Sequence, residues 1–211
     1  MIYRTMTLVV FLCAVLKINV QSQALELLDK LQKKYEKVND ATFTFSQTTY
    51  LPLAKVTQQV AGTIRMKKNN RYRIEMENEL LVTDGVTVWR LNKVKKQVLI
   101  DKYKEDPKNL SPESLFLSIP KDYDAIRIGS EVIEKRELTI IKLTPKSESS
   151  ALKSIKLWID DDELVIRKIE TINFSDAHST YNISKFSMNT GVSDSMFIFI
   201  PPEGVEVIDL R

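Results

Sequence analysis

The feature that most constrains this chain is a change of hydrophobic period at Ala41. Before it, Leu25, Leu28, Leu31, Tyr35 and Val38 recur at helical spacing among Lys30, Lys33, Lys34 and Glu36, and Asn39-Asp40 closes the run. That spacing predicts one amphipathic helix over residues 25–38. After it, apolar and polar residues alternate. Phe43 and Phe45 stand between Thr42, Thr44 and Ser46; Val60, Gly62, Ile64 and Met66 stand between Gln59, Thr63, Arg65 and Lys67; Tyr72, Ile74 and Met76 stand between Arg71, Arg73, Glu75 and Glu77. Alternation of this kind predicts strands with one apolar face.

The pattern continues through Leu80-Leu81-Val82-Thr83 to Asp84-Gly85, a strong hairpin signal. Further strands are predicted over 87–91, 97–101, 126–129, 138–144, 154–159, 164–172, 179–188 and 197–200, which brings the total to roughly ten to twelve in one antiparallel sheet. A sheet of that width curls under its own twist. The fold class is therefore mainly β with α, an incomplete, half-closed antiparallel β-barrel carrying an N-terminal amphipathic helix. The strand run breaks once, where Pro107, Pro112 and Pro120 flank Ser111-Pro112-Glu113-Ser114-Leu115-Phe116-Leu117. Ser as N-cap and Pro at the first helical position start a short helix over 112–118. Leu115, Phe116 and Leu117 make it apolar enough to serve as a lid over a cavity. Two small helices fill a wide concavity thinly, which leaves space for a ligand.

Arg4 followed by the apolar run from Leu8 to Leu16, with no acidic residue before Glu26, has the form of a secretory signal peptide over residues 1–24. Cleavage falls between Ser22 and Leu25, and residues 25–211 form a single domain. Leu12, just before Cys13, is not the small residue that lipid anchoring requires, so an exported protein without a lipid anchor is expected. Removal of the leader takes away the one cysteine, and with it disulfide and thiolate chemistry. It also removes Arg4 and Lys17, so 29 basic residues remain against 28 acidic ones, a balance that does not point to nucleic acid. His178 is the single histidine and sits in a polar stretch read as a surface turn; no Gly-rich phosphate loop, G-x-S-x-G elbow or H-E-x-x-H pair is present. No enzyme activity, catalytic residue, cofactor or metal is expected. Asp160-Asp161-Asp162-Glu163 lacks the ligand spacing of a calcium loop and is read as a solvated hairpin turn.

Four stretches, in order along the mature chain, resemble the family of periplasmic outer-membrane lipoprotein carriers, the LolA family. They are Phe43-Thr44-Phe45-Ser46-Gln47; Gly62 through Arg73; Leu81-Val82-Thr83-Asp84-Gly85-Val86-Thr87-Val88-Trp89; and Leu143-Thr144-Pro145-Lys146 together with the segment from Phe197 to Val207. The resemblance implies a chaperone whose half-barrel takes up the acyl chains of lipoproteins released from the inner membrane and delivers them to the outer membrane. It implies acylated lipoproteins, an inner-membrane ABC-type releasing transporter and an outer-membrane lipoprotein acceptor as partners, and a monomer. The acyl-chain cavity is then expected at Phe43, Phe45, Ile64, Met66, Tyr72, Ile74, Val82 and Trp89, beneath a lid of Leu115, Phe116 and Leu117. One departure stands out. Where the family carries an arginine before a proline that bonds to the lid, this chain has Lys68-Asn69, so Lys68 takes the latch position without the planar guanidinium fork. Arg65 and Arg71 are alternative latches. A related half-barrel lipid-binding or envelope-stress-sensing module is the competing reading.

Overall fold

The computed structural model describes residues 21–104, 123–147, 150 and 152–211. Its first element, α1, is helical over residues 21–35. Among the described residues twelve strands follow: β1 (Asp40–Leu51), β2 (Val56–Lys67), β3 (Arg71–Met76), β4 (Glu79–Asp84), β5 (Thr87–Asn92), β6 (Gln97–Lys102), β7 (Tyr123–Ile133), β8 (Arg136–Pro145), β9 (Leu152–Asp160), β10 (Val165–Asn173), β11 (His178–Met188) and β12 (Glu206–Asp209). They form one sheet in the order β12-β6-β5-β4-β3-β2-β1-β11-β10-β9-β8-β7. Its two edges, β12 and β7, are not joined, so the barrel is open, as the sequence pattern predicts.

The alternating runs pair as hairpins because their turns have the right chemistry. At Gly85 the backbone φ is +91°, a conformation that glycine adopts without a Cβ clash. The Asp84 carboxylate accepts from the N–H groups of Val86 and Thr87 at 2.8 and 2.7 Å and closes that turn.

The concave face wraps around α1. Ala24, Leu28, Leu31, Tyr35 and Val38 are buried in one cluster with Phe43, Ile64 and Met66 from β1 and β2, and with Ile141, Leu143, Ile155 and Leu157 from β8 and β9. Strands at distant positions in the sheet reach the same helix only if the sheet curls around it. Each large side chain buried there contributes about 1.5–3 kcal/mol. Leu25, expected on this stripe, is 51% exposed, and Ala24 and Leu27 hold its place. The series 24, 28, 31, 35, 38 follows the helical repeat, whereas Leu25 lies a full residue off it.

Three other expectations change. Residues 197–200 are not a strand: Asp194–Phe197 is a 3-10 turn and Ile198 and Ile200 are exposed, because Pro201-Pro202 ends any ladder there. The last strand is instead β12, which pairs with β6 in parallel, so the sheet is not wholly antiparallel. The Asp160–Glu163 turn is not simply solvated. Asp160 is buried, paired with Arg136 at 2.8 Å and Arg167 at 3.6 Å, while Thr139 donates to Asp161 at 2.9 Å. His178 is exposed at the start of β11. The expected lid helix over 112–118, with Leu115, Phe116 and Leu117, lies outside the described residues.

Candidate functional site

Strand register decides which side chains share the concave face, since directly opposed residues of neighbouring strands point the same way. Phe43 opposes Ile64, which opposes Ile74; Ala41 opposes Met66, which opposes Tyr72. Phe45 opposes Gly62, completing a patch in which Phe43, Phe45, Ile64, Met66, Tyr72 and Ile74 meet in the cluster around α1. Six of the eight expected wall residues thus come together. They are packed against the helix and each other: Phe43 and Met66 are fully buried, and Phe43 stacks on Phe186 with ring centroids 5.4 Å apart.

Val82 and Trp89 do not join them. Val82 opposes Arg73 on one side and Trp89 on the other, which puts both on the outer face. There they form a second cluster with Leu80, Leu91, Val98 and Ile100, covered by Phe199 and Val205 from the C-terminal segment. The run Leu80-Leu81-Val82-Thr83 is apolar on both faces, so its alternation carries no phase; only the β3–β4 register sets it. The same register assigns Leu81 and Thr83, then Val88 and Arg90, then Leu99 and Asp101 to the concave side. Leu81, Met76 and Tyr103 pack as half-buried residues at the margin of the α1 cluster. The sequence reading missed this strip. The signal that could have found it was the fixed two-residue offset from Ile74 across the Glu77-Asn78 turn.

The concave face therefore has two halves. From β8 through β9, β10, β11 and β1 to β3 it is filled by α1. From β4 to β6 Leu81, Val88, Leu99 and Asp101 are only partly buried, Thr83 is fully buried, and Arg90 is exposed among them. Tyr72 marks the boundary, edge-on to Tyr103 at 6.5 Å. Burial, with help from Tyr103, pushes the Tyr72 phenol up to about 12, while Arg90 pulls the other way, so the hydroxyl stays neutral at any physiological pH. Leu81, Val88 and Leu99 share this strip with Thr83, with Arg90 and, opposite Val88, with Asp101, so its apolar side chains stand among charges of both signs.

The end of the fold that holds α1 is tightly tied. Lys68 is exposed, and its ammonium donates to the Glu36 carbonyl just past the end of α1 at 2.8 Å, a favourable place for a cation. Lys34 donates to the Glu163 carbonyl, and the Ile166 N–H donates to the Tyr35 hydroxyl at 3.2 Å. The alternative latches are engaged elsewhere: Arg65 pairs with Glu75 at 3.4 Å, and Arg71 pairs with Asp194 at 3.2 Å. Among the described residues no group of three or more His, Cys, Asp or Glu side chains could hold a metal ion.

The family model of the outer membrane lipoprotein carrier protein LolA matches residues 36–200, from the end of α1 to the segment that covers the outer cluster. The chain belongs to the LolA family. An outer-membrane lipoprotein carrier protein of Pasteurella multocida is 29% identical over 86% of each chain, and one of Serratia proteamaculans is 29% identical over 86% of this chain and 87% of its own. In fold, an uncharacterized conserved protein from Thermus thermophilus is similar with a TM-score of 0.58 at 12% identity, covering 89% of this chain and 99% of that one. The LolA match spans both halves of the concave face.

Proposed function

We propose that this protein is a periplasmic, non-enzymatic carrier that shields the acyl chains of lipoproteins on their way from the inner to the outer membrane, exported by the leader over residues 1–24. The observation that carries this reading is the half-filled concave face in a member of the LolA family: Leu81, Val88 and Leu99, only partly buried, beside a packed helix. Covering acyl chains is worth about 0.8 kcal/mol per methylene, so even a short trough holds a lipid firmly. Extension of the occupied region toward Ile74, Tyr72 and Phe45 requires α1 to give way, and helix and acyl chain then compete for the same wall. The sequence holds no nucleotide-binding loop, so loading and release rest on partners with better or worse apolar surfaces than the trough. An inner-membrane ABC-type transporter as donor and an outer-membrane lipoprotein as acceptor fit that requirement.

The test is mass spectrometry of the protein purified from the periplasm of its host. Acylated polypeptides co-purifying in stoichiometric amounts are the expected result. Recovery of free phospholipid alone, or of no lipid, would refute the carrier assignment.

A further inference from the structure

β2 pairs with β1 along its whole length, from Asp40 opposite Lys67 to Leu51 opposite Val56, but it pairs with β3 only from Gly62 to Lys67. Residues Val56 to Ala61 therefore carry a row of backbone groups with no neighbouring strand on that side among the described residues. All six are exposed, and at the rise of a strand the step is about 20 Å long.

Free strand edges invite pairing, and folded proteins guard them with charge, bulges or short length. The two outer edges of this sheet are guarded in that way. β7 carries Asp124, Arg127 and Glu131 and a bulge between Arg127 and Gly129, and β12 is four residues long with Glu206 and Asp209. The step on β2 has no such guard: Val56-Thr57-Gln58-Gln59-Val60-Ala61 contains no charge, proline or bulge. Its place is specific as well. Val56, Gln58 and Val60 continue the concave row of Gly62, Ile64 and Met66, so the step begins where the apolar wall ends. The ends of β3 and β4, Met76 and Glu79, stand at its foot.

We infer that the free edge of β2 binds the polypeptide of the cargo, pairing with the extended segment that follows the lipidated residue as an added strand. This rests on the carrier reading above and adds to it. A lipid lying on the β4–β6 strip leaves the trough at the foot of the step, and the chain attached to it crosses the exposed amides there. Main-chain pairing is indifferent to the side chains of the added segment, while the uncharged glutamines and threonine on this edge repel no sequence.

Backbone amide exchange tests this with two probes: a triacylated cysteine amide, and the same lipid followed by a short flexible peptide. Both are expected to bind the mature chain, seen by native mass spectrometry, and only the lipopeptide is expected to slow exchange, by about tenfold or more, at those alternate amides of Val56–Ala61 that point away from β1. Lipopeptide binding with no change at those amides overturns the inference and leaves the carrier reading standing. Failure of both probes to bind overturns both. Protection of the same amides on concentrating the chain alone assigns the edge to a second copy and also overturns it. The double variant Thr57→Lys with Gln59→Lys guards the edge. It should weaken lipopeptide binding about tenfold, because two ammonium groups must then lie beside the added strand, with lipid-only affinity unchanged; an equal loss for both probes overturns the inference.

Discussion

Replacing Asp40 by alanine should cost this protein much of its stability, even though the residue touches no part of the trough. Asp40 opens β1 directly after α1 and is 4% exposed. Its carboxylate accepts from the Thr190 N–H at 2.8 Å, the Thr190 hydroxyl at 3.1 Å and the Gly191 N–H at 3.1 Å. Burial alone would raise its pKa, but these bonds and one from the Val192 N–H outweigh that and hold it below the ordinary carboxylate value. A hydrogen bond to a charged acceptor contributes about 1.5–3 kcal/mol, and bonds that share one carboxylate do not add in full. A loss of about 3–4 kcal/mol is expected, a large share of a typical 5–15 kcal/mol. Urea unfolding at neutral pH should show a lower midpoint with an unchanged slope. Because the folded pKa lies below the unfolded one, near 3.9, the contribution is complete above about pH 4 and fades as pH falls through the folded value. The gap between wild type and variant should therefore narrow in acid. A loss under about 1 kcal/mol, or a gap that stays constant into the acid range, would refute the reasoning.

The division into two faces predicts opposite outcomes for neighbouring residues. Leu81→Glu should reduce the yield of lipid-bound protein with a modest change in thermal midpoint, whereas Val82→Ala, fully buried on the outer face, should cost about 1–3 kcal/mol with lipid loading intact; lipid yields that fall only in the second would reverse the assignment. Lys68→Ala removes one exposed cation from the end of α1 and should lower stability by less than about 1 kcal/mol, read by urea unfolding. Gly62→Ala should be far more costly, because a Cβ there would stand 2.3 Å from the Glu75 carbonyl oxygen, and loss of amide protection across β2 and β3 should report it.

Much of this fold was legible in the sequence because its physics is local. Alternation and apolar runs between turn signals marked eleven of the twelve described strands, Asp84-Gly85 marked its hairpin, and the helical stripe of α1 followed from the spacing of Leu28, Leu31 and Tyr35. The same alternation set the phase of β1, β2 and β3, so Phe43, Phe45, Ile64, Met66, Tyr72 and Ile74 were placed on one wall correctly. Local pattern failed where a segment is apolar on both faces or has its partner far away. Leu80 to Thr83 could face either way, and only pairing with β3 put Leu81 inside and Val82 outside. Phe199 looked like part of a strand, yet its apolar ring is satisfied by covering the outer cluster, and the true last strand, Glu206–Asp209, lies parallel to β6, more than a hundred residues away in sequence. Residue spacing settles which side chains share a face of one element. Which face is then filled by a helix, covered by a tail or left as a trough depends on register and long-range packing, and only the tertiary structure decides it.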